Sequence, residues 1–278
     1  MASEGQVVRS QESVVSKAPP TPDSRLLTNM SEELTTLIHS HSADELKRAA
    51  AHEALSEELA LALLERRDLP AEALEALSKN APAIKSRRVL VGMIGHPKAP
   101  RHVSLPAIRH LYSFELMQLA LSPAVLADIK KAAEETLVSR LEKITLGERI
   151  TLARRASGRV AAALLLDSEP RVVEAAVTNP FLTEVLVVKA LLSGKGMPAL
   201  GELVCNDAKW SLRREVRIAL LRKPLIPAGQ AVEFAHTLPT GVLHELLLDS
   251  RLPEPVRECL QQELQSREKE EGKFGGRS

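Results

Sequence analysis

Proline recurs along this chain directly after an apolar residue and just before a new amphipathic run. The cases are Leu69-Pro70, Leu105-Pro106, Met197-Pro198, Ile226-Pro227, Leu238-Pro239 and Leu252-Pro253, with Ser122-Pro123 as a polar variant. Proline cannot continue a helix, because its ring removes an N–H and clashes with the preceding turn. It suits the first position of a helix, where that N–H would lack a partner anyway. Acids follow within the first turn at Glu72 and Glu254, where the helix dipole favours them. Ser42-Ala43-Asp44-Glu45 has the spacing of a capping box. A chain punctuated in this way folds as many short helices. No segment alternates apolar and polar residues between turn signals as a strand would. The expected fold class is all-α.

Composition agrees. Only four Phe, one Tyr and one Trp occur in 278 residues, so the core must be built from Leu, Ala, Val and Ile. The Leu and Ala excess favours helix. A net charge of +1 implies no global attraction to nucleic acid or anionic membrane, so any electrostatic function is local. Residues 1–29 are polar, with Pro19, Pro20 and Pro22 close together, and read as a disordered leader. Residues 30–268 form the periodic helical domain, and 269–278 are expected to be a flexible tail. No signal peptide or membrane-spanning run is visible, which points to a cytoplasmic protein with no membrane partner. Cys205 and Cys259 read as small hydrophobes in a reducing compartment.

The segment "RVVEAAVTNP" at 171–180 aligns with "RVLVGMIGHP" at 88–97, an offset of 83, and with "EVRIALLRKP" at 215–224, an offset of 44. Each places apolar residues on one helical face before a proline stop, and a second helix start follows. The spacing suggests one helix pair per roughly 40 residues, within the range of helical repeat proteins. The longer stretch "DSEPRVVEAAVTNPFLTEVLVVKAL" resembles a unit of the HEAT-like class, in particular the leucine-rich repeat variant family. Asp167, Pro170, Arg171, Val172, Ala175, Asn179, Pro180 and Leu182 carry the likeness. It is good over about 25 residues and partial at 88–97 and 211–228, where Asn-Pro is replaced by His96-Pro97 and Lys223-Pro224. The resemblance implies an α-solenoid of short paired helices, serving as a scaffold or binding surface and not as an enzyme.

No linear motif for chemistry stands out. His39 and His41, at i and i+2, would point about 200° apart on a helix and cannot readily share a metal. Cys205, His236 and His244 carry no nucleophile signature. "SGKGMP" at 193–198 lacks the spacing of a phosphate-binding loop. No cofactor or metal is expected.

Charge is the one local anomaly. From Ala76 to Phe114 there is no acid, while Lys79, Lys85, Arg87, Arg88, Lys98, Arg101 and Arg109 give the stretch a formal +7. A second cluster comprises Trp210, Arg213, Arg214, Arg217, Arg222 and Lys223. Two readings stand. The block is a solvated face paired with acids of neighbouring helices such as Glu72 and Glu75. Alternatively Lys85, Arg87, Arg88, Lys98, Arg101 and Arg109, with Trp210, Arg213, Arg214 and Arg217 second, hold an anionic partner through bidentate contacts. That partner would be an acidic protein segment. The alternative partner is nucleic acid, gripped as HEAT-like DNA-repair solenoids grip a duplex.

Overall fold

A computed structural model describes residues 33–223 and 226–275. The leader expected at 1–29 lies outside them. Every regular element among the described residues is helical. The chain forms two compact units, Met1–Val89 and Leu90–Ser278, a boundary the periodic sequence does not mark.

In the first unit, α1 spans 33–39, followed by α2 (Ala43–Ala51), α3 (Glu57–Glu65), α4 (Ala71–Lys79) and the one-turn α5 (Ala81–Ile84). Ser56 caps α3, its Oγ accepting the Leu59 N–H at 3.3 Å, and Pro70 stands immediately before α4. Ser42 occupies the N-cap of α2 but makes no cap bond; instead its N–H donates to Ser40 Oγ. The capping-box spacing there marks a helix start without the hydrogen bond. α2 and α4 pack together through Leu46, Ala49, Ala50, Ala73, Leu74 and Leu77, all buried. α6 (Arg87–Gly95) runs across the boundary.

The second unit continues with α7 (Arg101–Ile108), α8 (Ser113–Leu121), α9 (Ala127–Val138), α10 (Leu146–Arg155), α11 (Gly158–Leu164) and α12 (Pro170–Val177). After these come α13 (Glu184–Leu192), α14 (Ala199–Asn206), α15 (Arg214–Leu221), α16 (Ala228–Thr237), α17 (Thr240–Leu247) and α18 (Glu254–Gly275). α18 therefore continues into the stretch expected to be a tail. Pro198, Pro227 and Pro239 sit at N-caps, and Pro170 opens α12. Two cases depart from this: Pro106 lies inside α7, and Pro123 sits in the turn before α9, whose N-cap is Leu126. α10 carries a full capping box, in which Glu148 N donates to Thr145 Oγ1 and Thr145 N donates to Glu148 Oε2.

From α7 to α13, each helix packs on the one two places along. α7, α9, α11, α13 and α15 make one row; α8, α10, α12 and α14 make the other. The rows touch where α8 meets α9 and where α11 meets α10 and α12. Successive pairs start at 146, 170, 199 and 228, so a pair occupies 24 to 29 residues, shorter than the 40 expected. The offset of 83 is thus three pairs, from α6 to α12. The offset of 44 is three single helices, from α12 to α15, and so matches helices of opposite rows. Both kinds of helix bury the same apolar spacing, which is why the alignment crossed rows.

One device accompanies this stacking. Near the end of a helix, a side-chain donor reaches back to the last carbonyls of the helix two before it, groups that lack intrahelical partners. Arg66 donates to Ile38 O, and Asn80 Nδ2 donates to Ala50 O and His52 O at 3.0 and 2.9 Å. Arg140 donates to Leu111 O and Arg109 O at 2.7 and 2.6 Å. Asn179 Nδ2 donates to Ala153 O and Ala156 O at 2.7 and 3.0 Å. Trp210 Nε1 donates to Val177 O at 2.9 Å. Arg267, on α18, serves Ala235, His236 and Leu238.

Candidate binding surfaces

The acid-free block 76–114 is divided between the two units. Lys85, Arg88, Lys98, Arg101 and Arg109 are exposed and Arg87 is half-buried. Several of its cations are already matched. Lys79 meets Glu75 at 3.0 Å, Arg88 meets Glu57 at 3.2 Å, and Arg101 meets Asp128 at 2.7 Å. Arg109 lends its main-chain carbonyl to the Arg140 clamp. For Arg88 and Arg101, the acids absent from the local sequence are thus supplied by other helices of the same unit.

The second cluster separates. Trp210 is 1% exposed, with its N–H on Val177 O and Lys209 Nζ 4.0 Å above its ring, so it anchors the core and offers no stacking face. Arg217 is held by Ser211 O and Thr237 Oγ1, and Arg222 by Asp249 at 3.1 Å. Arg213 and Arg214 remain exposed.

What the sequence did not reveal is a series of hollows along the row α9–α11–α13–α15. One, of 370 Å³, lies beside Leu141, Glu142, Arg149 and Asp167. It shares Val138, Ala163 and Leu166 with a 240 Å³ hollow edged by Arg159, Leu186 and Lys189. Beyond α13 lies a 180 Å³ chamber between Leu191, Met197, Leu200, Cys205 and Leu220. It joins, through Leu191 and Lys223, a 290 Å³ hollow edged by Arg222, Asp249 and Arg251. Leu166 bridges the halves, since its Cδ2 is 3.4 Å from where a Cβ on Gly196 would sit.

The "SGKGMP" segment builds part of the chamber. Gly194 takes φ 70°, the left-handed conformation glycine adopts without strain, and turns the chain after α13 so that Gly196, Met197 and Pro198 form a wall. These residues were visible in the sequence, but nothing there distinguished a chamber wall from core. Burial pushes the Cys205 thiol up to about 11, with Glu202 and Glu233 adding to the shift, so it is a neutral thiol at physiological pH. No histidine lines the chamber among the described residues, and His236 pairs instead with Glu263 at 3.0 Å. Among the described residues no three of His, Cys, Asp and Glu are grouped to hold a metal ion, and no helix is long and apolar enough to cross a membrane.

No protein-family model, curated protein or solved structure matches the chain.

Proposed function

We propose that this protein is a non-catalytic binding protein, a HEAT-like α-solenoid of the leucine-rich repeat variant kind, and that it receives a segment of a protein partner along the row α9–α11–α13–α15. The run of adjoining hollows carries this reading: they have apolar floors at Ala163, Leu166, Leu186 and Leu191, and cations at their edges. Stacked short helices leave shallow grooves between successive members of a row, and an extended segment can fill several at once. The family likeness is supported by the roles of Pro170, which opens α12, and Asn179, which clamps α10. The ion pairs within the basic block weigh against nucleic acid, because matched cations release few counterions on binding.

A peptide-display selection against the full chain tests the reading. It should return a consensus whose binding falls at least tenfold in the double variant Arg159→Glu, Lys189→Glu, both exposed side chains. A consensus indifferent to that variant, or salt-steep binding to duplex DNA or RNA instead, would refute it.

A further inference from the structure

The row changes character at its far end. The chamber there holds 180 Å³, below the roughly 300–1,000 Å³ of sites that enclose whole small molecules. It has room for one large apolar side chain. Its floor includes Gly201, inside α14, where glycine weakens a helix relative to alanine. A Cβ on Gly201 would meet Leu220 Cδ2 at 4.0 Å, ordinary contact, so packing does not require the glycine. The space above it is left open where an alanine would fit.

Lys223 stands at the mouth, shared with the neighbouring hollow that Arg222 and Arg251 edge. Asp249 is committed to Arg222 at 3.1 Å, and Arg251, 92% exposed, reaches that carboxylate only at 4.0 Å. Lys223 has no acidic partner among the described residues. Along the edge shared with that hollow, one carboxylate faces three cations and leaves this side positive, while Glu202 and Glu233 act on Cys205 from the chamber's other side. An apolar socket beside an unneutralised cationic rim matches an apolar side chain carried next to carboxylates.

We propose that this corner anchors an acidic linear peptide: one Leu or Phe side chain fills the chamber over Gly201, and flanking Asp or Glu side chains face Lys223 and Arg251. The inference rests on the reading of the row as a protein-binding surface, and adds where the segment is anchored and what sequence anchors it. The buried side chain supplies affinity, while the exposed charges set orientation and association rate.

The test is fluorescence anisotropy on the full chain, using a labelled peptide with one leucine between two pairs of acids. Two companions replace the leucine by alanine or the acids by lysine. The leucine peptide should bind at least tenfold tighter than either companion. Gly201→Met, which fills the chamber, should abolish the preference, whereas Gly201→Ala keeps it. Lys223→Glu with Arg251→Glu should weaken binding about tenfold, and added salt should weaken the wild-type complex. If Gly201→Met does not fold, the charge-reversal pair decides. Equal binding of the alanine peptide, or unchanged affinity in both chamber and rim variants, overturns the anchor. If displayed segments still depend on Arg159 and Lys189 while the anchor fails, the general reading survives; if they depend on neither, both fall.

Discussion

Asn80 and Asn179 do the same work in the two units, with different surroundings. Both sit just past a helix, and both donate through Nδ2 to two carbonyls at the end of the helix two before. Asn179 is 0% exposed and its Oδ1 accepts the Phe181 N–H at 2.8 Å; Asn80 is 6% exposed and accepts Ala83 N–H at a looser 3.3 Å. The larger difference lies two residues beyond the second accepting carbonyl. There the second unit has Gly158 and the first has Ala54. A Cβ on Gly158 would lie 2.3 Å from the Phe181 carbonyl oxygen, so the Asn179 turn presses on the backbone of α11 itself. The same amide thus serves a loose joint and a tight one, and the tightness comes from a neighbouring residue.

The comparison can be broken where it is strongest. Asn179→Ala strands two buried carbonyls and the Phe181 N–H, at about 1–3 kcal/mol for each group left unpaired. A loss of about 4 kcal/mol is expected from urea unfolding followed by the fluorescence of Trp210, the sole tryptophan and buried in the second unit. A loss below about 1 kcal/mol would show that the clamp holds nothing. Gly158→Ala should cost about 3 kcal/mol by the same readout, the upper end for overpacking because the obstacle is backbone. If it is neutral, the close approach is not a constraint.

Asn80→Ala should cost less, about 2 kcal/mol, seen as faster amide exchange in α2 and α4. An effect equal to that of Asn179→Ala would erase the distinction between loose and tight joints.

The smallest effect belongs to the arginine version of the clamp. Arg66 is steadied by Asp68 through bonds of 3.0 and 2.6 Å, and that hydrogen bonding, reinforced by the guanidinium charge, brings the Asp68 carboxyl down to about 2. A carboxylate with a lowered folded pKa contributes stability above its unfolded value near 3.8, and loses it as pH falls through about 2. The wild type should therefore lose slightly more stability between pH 4 and pH 2 than Asp68→Asn, in thermal melts across that window. Identical profiles would remove Asp68 from the joint.

These joints explain what could be read in advance. Helix starts were legible because Pro70, Pro170, Pro198, Pro227 and Pro239 act within one turn, through backbone geometry alone. The all-α class followed from them. The period was misread because α12 and α15 bury the same apolar spacing from opposite rows, and single-helix periodicity carries no record of row. The clamps stayed hidden because asparagine, arginine and tryptophan fill one role: a donor at the right height suffices, and residue type is free. Trp210 looked like a surface partner of nearby arginines, yet it is such a donor. The basic block was legible as a cluster, but its partners Glu57 and Asp128 come from other helices. The chamber over Gly201 is an absence of side chain, and composition records only what is present.

The backward reach of the clamps gives the chain a direction in time. The end of α10 is completed only when Asn179 exists, 23 to 26 residues later, and the end of α16 only when Arg267 does, about 30 residues on. At synthesis rates of about 5–20 residues per second, a helix end served by such a clamp waits roughly 1 to 6 s with its carbonyls open to water. The growing end of the nascent chain is then its least secured part, and the end of α16 stays open until Arg267 on α18 arrives to serve it.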